Sequence, residues 1–424
     1  MALLTYLRAA IFLVYPLLPL VAGAYGLRLS RFTAALGLSA ALATLLAVLN
    51  EEHLLTANLL LSLLLVGPVL LILFAEPVVT GASSASDKHV ATFFRSLLTI
   101  QVVNNLIGIA QFIAWRYDDA FVGVYGRHGQ SVHGLGVINA ILFIYLYARW
   151  RHARTAFNLA AALFFGLSAV MAFFGLALVT LVGALAVFHW RWLLHPVRMV
   201  GLLLVVGVIV GMLYATSKKT LDYNVRNVTI LYEAVADSDV DVVPRKLRLF
   251  LNYSAVYRRD PIRLLFGTGP GTFNSRASFL LNGDYSEGNI FERALGVSTS
   301  NVARRYAHPL WSTYLVSKPF QDGTLNQPFS SLIALLSEYG LVFTLLVAYG
   351  LRRRVTRVLR HLERIAAKGS FEARVQRDWL KMATIFVVGM LIGDNQLEFT
   401  EVLVFVIGFK LIEVAAARRV ADME

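Results

Sequence analysis

The chain contains no cysteine and few charged residues. The absence of cysteine excludes disulfides, thiolate nucleophiles and cysteine-ligated zinc or iron–sulfur sites. Charged residues make up 15% of the 424 residues, whereas a soluble globular protein carries roughly 25%. The mean hydropathy is +0.64. Together these values indicate that most of the chain faces lipid rather than water.

Apolar runs of about 20 residues recur along the sequence, and this length spans a bilayer core of about 30 Å. The runs lack the alternation of a membrane β-barrel, so we expect transmembrane helices. The first run lacks a signal-peptidase site and is interpreted as a retained helix. We predict a hairpin at Gly175 because the run from Asn158 to Trp190 is too long for one helix. The eleven predicted spans, with an error of one, lie near 5–25, 32–49, 56–78, 94–115, 133–149, 156–173, 175–190, 197–215, 328–350, 380–393 and 399–416.

The sequence divides into a helix bundle at 1–215, a large polar loop at 216–326 and C-terminal helices at 327–424. Short basic cytoplasmic loops explain the net charge of +13 better than nucleic-acid binding does. The strongest of these, the basic loop 352–381, is predicted to be cytoplasmic, which makes the polar loop extracytoplasmic. We therefore predict an all-α polytopic membrane protein of about 11–12 helices, with the N-terminus outside if the count is eleven.

Part of the basic loop 352–381 has apolar residues at helical spacing, with arginines on the opposite face. This pattern predicts an amphipathic helix on anionic lipid headgroups. Binding to a partner protein is the alternative. The apolar positions are Val355, Val358, Leu359, Leu362 and Ile365.

Intramembrane charge marks ion or proton pathways, and the predicted spans carry none at their centres. This argues against a proton-coupled transporter. One span has a polar stripe on one face, which predicts either interhelical hydrogen bonds with close packing at Gly108 or the lining of a polar cavity. The stripe consists of Gln101, Asn104, Asn105, Gly108 and Gln111.

The polar loop is rich in arginine and carries few acids after its first part. Guanidinium groups match phosphate bidentately and stay charged, so the cluster favours anion binding; a solvated surface with ion pairs is the alternative. The turn from Gly267 to Gly271 exposes backbone amides, but it is not a P-loop because no Lys-Ser/Thr follows. The basic residues of this cluster are Arg245, Lys246, Arg248, Arg258, Arg259, Arg263, Arg276, Arg293, Arg304 and Arg305.

His308 is a candidate general base beside an arginine pair, and His128 and His133 are alternatives on the same side of the membrane. No group of His, Asp and Glu has the spacing of metal ligands, so we expect neither a metal nor a cofactor.

Several segments resemble the bacterial O-antigen ligase and polymerase superfamily. Residues 260–273, with the sequence DPIRLLFGTGPGTF, are similar to the family's glycine-rich turn. Arg248 precedes Gly267 by nineteen residues, and Arg258 and Gly269 fit the family's Arg-x10-Gly spacing.

Two further segments carry the same resemblance. Residues 336–341, LSEYGL, are similar to the family's entry into the span after the loop. Residues 124–136, which include Arg127, lie where the family has a conserved upstream loop. The order of spans around one late, large loop also agrees.

The resemblance implies a metal-independent membrane glycosyltransferase with a GT-C-like helix bundle. Such an enzyme takes a glycan from undecaprenyl diphosphate and transfers it to a sugar hydroxyl at the outer face of the bacterial inner membrane. It implies membrane lipids, a flippase and a chain-length regulator as partners. Its implied catalytic residues are Arg248, Arg258, His308 and Glu338, and its implied substrate-binding residues are Arg127, Arg245, Arg259, Gly267, Gly269 and Asn326.

One departure concerns the general base. The family's His-Asn pair at the start of the post-loop motif is replaced by Phe329 and Ser330. His308, Asn326 or Glu338 would then substitute, or the reaction would proceed without a side-chain base. The departure favours a polymerase over a ligase that transfers glycan to lipid A core. A lipid or glycan transporter without chemistry is the third interpretation, although the sequence shows no internal repeat.

Overall fold

The computed structural model describes residues 27–28, 30–49, 56–77, 87–115, 120–125, 130–172, 174–193, 195, 245–280, 300–310, 329–399 and 401–424, with eight single residues between 200 and 229. The predicted span 5–25, most of the span 197–215, Arg127, His128 and Asn326 lie outside these residues.

The described structure is helical apart from one two-residue antiparallel pairing of β1 (Leu27–Arg28) with β2 (Glu76–Pro77). The helices before the polar loop are α1 Arg31–Leu49, α2 Thr56–Phe74, α3 Asp87–Trp115, α4 Gln130–Ala153, α5 Ala156–Met171, α6 Gly175–Phe188 and α7 Trp190–Leu193. Those in and after it are α8 Arg245–Arg259, α9 Pro261–Phe266, α10 Arg276–Leu280, α11 Asn301–Tyr306, α12 Ser331–Ala334, α13 Gly340–Ala367, α14 Phe371–Gly393 and α15 Val402–Ala421.

Three of the described helices are long and apolar enough to cross a membrane: α1, α3 and the continuous stretch Ser331–Ala367. Shorter apolar helices accompany them at Ser62–Phe74, α5 and α6. The hairpin predicted at Gly175 is confirmed, because α5 ends at Met171 and α6 begins at Gly175. These apolar helices indicate a membrane-associated α-helical protein.

The polarity of α3 is reversed relative to a helix of a soluble protein. Gln101 and Asn105 are buried inside the bundle, whereas Ile100 is 65% exposed and Val103 is 54% exposed. A helix packed against a water-soluble core would bury its apolar face instead. The exposed apolar face therefore suits contact with lipid.

The polar stripe of α3 forms interhelical hydrogen bonds. The side-chain amides of Asn105 and Asn139 of α4 form two hydrogen bonds with each other, of 2.9 and 3.0 Å. Gln101 Nε2 donates to Asn139 Oδ1 at 3.2 Å. A Cβ atom on Gly108 would lie 2.9 Å from the Phe121 ring. The prediction of interhelical bonding with close packing at Gly108 is confirmed.

Replacing Asn139 with leucine is expected to lower stability by about 1 kcal/mol, because the amides of Gln101 and Asn105 lose their shared partner. Thermal unfolding in detergent measures the effect. Thr99→Val is the matched control, since the Thr99 hydroxyl is exposed and bonds only to its own helix, at Arg95 O. Equal midpoints for Asn139→Leu and the control would contradict the packing role.

The predicted basic loop 352–381 is a helical hairpin. Helix α13 continues to Ala367, and the chain turns at Gly369, which has φ +91°, into α14. Val358 and Leu362, 1% and 0% exposed, pack in the protein core rather than on lipid headgroups. The prediction of a membrane-surface amphipathic helix is wrong, because α14 supplies a complementary apolar face that covers α13.

Buried ions join three helices near the end of α2. Lys410 of α15 donates to Leu73 O at 3.0 Å and to Ala75 O at 2.9 Å, and it pairs with Glu413 at 2.5 Å. Arg354 of α13 pairs with the same carboxylate at 2.9 Å. Cations at the C-terminal carbonyls of a helix favour its dipole, so this cluster has a structural role.

Consecutive long helices run in alternating directions, so their ends form two layers. At one end Ser62 of α2 bonds to Tyr339, at 3.0 Å. At the other end Arg151 of α4 pairs with Asp378 of α14, at 2.6 Å. The described residues of the polar loop pack at the first of these, which we call the loop end. There one face of α8 packs with residues that flank α10 and α12; this cluster includes Leu249, Tyr253, Val256, Phe273, Phe329 and Ile333.

Candidate functional site

The glycine-rich turn, residues 267–275, lies against the segment that precedes α13 and against the connection between α14 and α15. The backbone N–H groups of Thr268 and Gly269 donate to the carbonyls of Ser337 and Glu338, at 2.8 and 3.0 Å. These carbonyls are available because Leu335–Tyr339 is wound as a π-helix, whose wider turn interrupts the ordinary hydrogen-bond ladder.

Two glycines allow this close approach. A Cβ atom on Gly267 would lie 2.3 Å from Glu338 O, and one on Gly340 would lie 2.4 Å from Leu265 O. Both residues also have positive φ, 81° and 85°. Only glycine adopts this conformation without strain while leaving room for the opposite backbone.

The Glu338 side chain holds the turn through hydrogen bonds to its backbone. Its side chain is fully buried, and its two oxygens are occupied by backbone donors. Hydrogen bonds from backbone to carboxylate are stronger than neutral ones, so the turn is held rigidly. This position does not suit the general base that the resemblance implied. The donors are the N–H groups of Gly271, Phe273 and Ser275, at 2.6, 3.1 and 2.8 Å.

The connection between α14 and α15 lies beside the turn. The Glu398 carboxylate accepts the backbone N–H of Arg276 at 2.6 Å. Burial raises the pKa of Glu398 to about 8, so its carboxyl is protonated at neutral pH. Asp394 accepts a hydrogen bond from Gln396 Nε2 at 3.1 Å and stays nearly fully buried.

Two buried cationic side chains face Asp394. Lys246 of α8 is 8% exposed and donates from Nζ to Gly393 O. The Arg276 guanidinium lies 4.0 Å from Asp394 Oδ1 and 3.6 Å from the centroid of the Phe399 ring. Burial lowers the pKa of Lys246 to about 8, against the attraction of Asp394. Lys246 and Arg276 thus bring two cationic groups to one buried carboxylate.

His133 lies at the edge of this group, in the first turn of α4. Its ring stacks on Phe174, with centroids 4.1 Å apart and an interplanar angle of 10°. Asp394 and Arg276 both lie within electrostatic range of the ring. The Nδ1 atom is buried and has no hydrogen-bond partner among the described residues, while the residue as a whole is partly exposed.

A small cavity lies behind the turn, lined by Ser275, Glu338, Asn395 and Glu398 among others. Its volume is about 10 Å³, which fits about one water molecule. No sugar or phosphate fits there, so the cavity belongs to the buried support of the turn.

The sequence-predicted arginines occupy different places. Arg248 is half-buried on the face of α8 that holds Asn252, whose amide donates to Tyr306 O at 2.8 Å. Arg258 is exposed, ten residues further along the helix, which corresponds to about 15 Å. The two arginines therefore lie at different levels of α8.

The other predicted residues divide into two groups. Gly267 and Gly269 are buried in the turn, where a Cβ atom on Gly269 would lie 2.3 Å from Ala47. The structure describes only the backbone, not the side chains, of Arg245, Arg259 and His308. Two further predicted residues, Arg127 and Asn326, lie entirely outside the described residues.

The sequence pattern missed Asp394 as a site residue, and it gave Lys246 and Arg276 no role beyond membership of the basic cluster. The available signal was local: Arg276 follows Gly271 by five residues, and Asp394 lies in a short turn between two apolar runs. Their proximity depends on packing α8 against the end of α14, which no spacing rule reveals.

No protein-family model matches the chain, and no curated protein matches it either.

Proposed function

We propose that the chain is a polysaccharide polymerase. It transfers a glycan from undecaprenyl diphosphate to a sugar hydroxyl of another lipid-linked repeat unit. One observation carries the proposal: Lys246 and Arg276 bring two buried cationic side chains together at the loop end of an apolar helix bundle.

An anionic ligand suits this pair of cations. Of the nearby described carboxyls, Glu398 is protonated below about pH 8, Glu338 is bound by three backbone donors, and Glu401 lies against Gly134. A diphosphate presents several anionic oxygens, and arginine and lysine are its usual protein ligands.

The site also suits a lipid carrier. Apolar side chains on the outer face of the bundle, such as Leu38 at 73% and Val179 at 71% exposed, are compatible with a prenyl chain in the membrane. The diphosphate of such a carrier lies at the membrane surface. The loop end, where the apolar helices end and polar turns begin, lies at the level where we place this diphosphate.

The chemistry follows from this placement. The acceptor oxygen attacks the anomeric carbon, and the bond between that carbon and the diphosphate oxygen breaks. The diphosphate leaves with the electron pair. Lys246 and Arg276 stabilise the charge that develops on it, and stabilisation of developing charge by fixed groups of this kind accounts for much of the rate enhancement of many enzymes.

The finer architecture belongs to the same proposal. A GT-C-like bundle of 11–12 spans in the bacterial inner membrane would place the loop end outside the cytoplasm. The basic residues of the hairpin of α13 and α14, at the opposite end, support this orientation. A flippase that delivers the repeat unit and a chain-length regulator are the expected partners.

Two alternatives compete with the polymerase. A ligase would use the same donor but a distinct terminal acceptor such as lipid A core. A transporter would bind the same lipid without breaking a bond. The polymerase is favoured over the ligase only by the replacement of the His-Asn pair by Phe329 and Ser330.

Product analysis in lipid nanodiscs separates the three functions. Purified protein is supplied with synthetic undecaprenyl-diphosphate oligosaccharide, with and without lipid A core. A polymerase extends the lipid-linked glycan without an added acceptor, whereas a ligase requires the core. Donor binding without new glycosidic bonds under either condition would contradict both enzyme functions and support a transporter.

The affinity for the donor is expected to fall about tenfold as the pH rises from 7 to 9.5. Lys246, whose pKa is about 8, is charged below that pH and loses its proton above it; one charge-assisted contact is worth roughly 1.5 kcal/mol. Lys246→Arg stays charged and is expected to reduce this pH dependence to the part that ionisation of Glu398, whose pKa is also about 8, contributes. An identical pH dependence in both proteins would show that Lys246 does not contact the donor.

A further inference from the structure

The proposed transfer requires a group that takes the proton of the acceptor hydroxyl. A neutral alcohol is a weak nucleophile, and its proton must leave as the new bond to the anomeric carbon forms. The question is which described side chain at the loop end has a free basic atom near Lys246 and Arg276.

Three of the carboxyl groups are poor candidates. Both oxygens of Glu338 accept backbone hydrogen bonds, and Glu398 is protonated at neutral pH. Asp394 accepts from the backbone N–H of Asn395 at 2.7 Å and from Gln396 at 3.1 Å. It also lies against Lys246 and Arg276, so its oxygens are already engaged.

His133 satisfies the geometric requirements. Its helix, α4, is held at the loop end by close packing at Gly134, where an added Cβ atom would lie 2.2 Å from Glu401 Oε1. The ring is oriented by stacking on Phe174. It carries a buried Nδ1 atom without a hydrogen-bond partner in the described part of the chain, and the residue as a whole is partly exposed.

The surroundings support a proton-accepting role. Asp394, beyond the end of α14, lies within electrostatic range and stabilises the imidazolium that forms. Burial, and after it Arg276 from the end of the glycine turn, favour the neutral ring, which is the proton-accepting form, before the reaction. Glu401, which precedes α15, lies against the neighbouring residue Gly134. Lys246 of α8 lies within electrostatic range of Asp394.

We propose that His133 is the general base that activates the acceptor hydroxyl. This inference rests on the proposed glycosyl transfer. It assigns a residue to the acceptor, whereas Lys246 and Arg276 are assigned to the donor. The acceptor oxygen forms a bond to the anomeric carbon as its proton moves to the imidazole. The bond from that carbon to the diphosphate breaks, and the leaving group keeps the electron pair. The imidazolium then releases the proton to water.

The test compares His133→Gln with wild-type protein in nanodiscs containing synthetic undecaprenyl-diphosphate oligosaccharide. A positioned general base contributes about 10²–10⁴-fold, so kcat is expected to fall by at least about 100-fold. The dissociation constant for the donor is expected to stay within about twofold, since His133 does not hold the diphosphate. His361→Gln is the matched control, because His361 lies 21 residues beyond the start of α13, about 31 Å from the loop end.

The pH profile separates a base from a structural residue. Wild-type kcat is expected to decrease as the pH falls and the base becomes protonated, and the residual rate of His133→Gln is expected to lack that acid limb. His133→Ala leaves space for an added imidazole, so restoration of its rate by imidazole supports the role even if the variant is less stable.

Three outcomes overturn the inference. The first is a kcat for His133→Gln within about threefold of wild type, while wild-type protein still extends the glycan; the proposed function then stands without this base. The second is a lost rate with an unchanged acid limb and no imidazole rescue, which assigns His133 a structural role. The third is the absence of extension by wild-type protein, which overturns the proposed function and this inference together.

Discussion

Replacing Glu338 with alanine is expected to reduce the stability of the whole protein, not only its activity. The variant leaves three buried backbone N–H groups, those that the carboxylate accepts at 2.6–3.1 Å, without partners. Hydrogen bonds to charged groups are worth about 1.5–3 kcal/mol each, and the loss of several is not fully additive, so about 3–5 kcal/mol is expected. The apparent unfolding midpoint in detergent should fall by roughly 5–10 °C.

A surface glutamate on the same helix provides the control for Glu338. Glu363 pairs with Lys381 at 3.2 Å, with half of its side chain exposed, and such pairs are worth about 0–1 kcal/mol. Glu363→Ala should therefore leave the midpoint nearly unchanged. A Glu338→Ala protein with an unchanged midpoint but no activity would contradict the anchoring role and restore Glu338 as a catalytic candidate.

Replacing Arg276 with leucine is expected to lower transfer activity by about 10²–10³-fold, the usual cost of removing one group that stabilises developing charge. The guanidinium is held between Asp394 and the Phe399 ring. It therefore meets the leaving diphosphate without reorganisation. Arg276→Lys should recover only part of the activity, because an ammonium lacks the planar fork and stacks less well. Initial rates of chain extension measure both variants.

Variants of two other arginines serve as comparisons for Arg276→Leu. Arg360→Ala, on the exposed face of α13 near the opposite end, should leave the rate unchanged. Arg258→Ala should have a smaller effect than Arg276→Leu, because Arg258 is exposed and lies about 15 Å along α8 from Arg248. A larger loss for Arg258→Ala would move the donor site to the other end of α8.

Helix positions were predictable where the signal is local. Apolar runs located α1, α3, α5 and α6 because span length is a property of neighbouring residues. The polar stripe of α3 also indicated its buried face. Its hydrogen-bond partner Asn139 was not predicted, because a single asparagine in an apolar run does not indicate which helix it contacts.

The site was predictable in part for the same reason. The glycine turn and the segment around Glu338 are each recognisable in sequence, and the structure joins them. The role of Glu338 was not predictable, because a carboxylate that fastens a turn and one that acts as a base have the same sequence. Lys246 and Arg276 become a pair only through Asp394, about 120 residues away from Arg276 in the chain.

The error over residues 352–381 has a similar cause. The same amphipathic pattern with neighbouring arginines occurs in helices that lie on a membrane surface and in helices that pack against a second helix. The apolar face of α14, with Trp379 fully buried, decides between them. The sequence pattern of α13 alone contains no information about that partner.

The most direct test of the proposed function is the stoichiometry of donor cleavage and bond formation. Wild-type protein in nanodiscs is expected to release one undecaprenyl diphosphate for each new glycosidic bond in the lipid-linked product. A variant carrying both Lys246→Ala and Arg276→Leu is expected to do neither, although it remains folded. Wild-type protein that binds the lipid-linked oligosaccharide but releases no undecaprenyl diphosphate and lengthens no glycan would contradict the assignment as a glycosyltransferase.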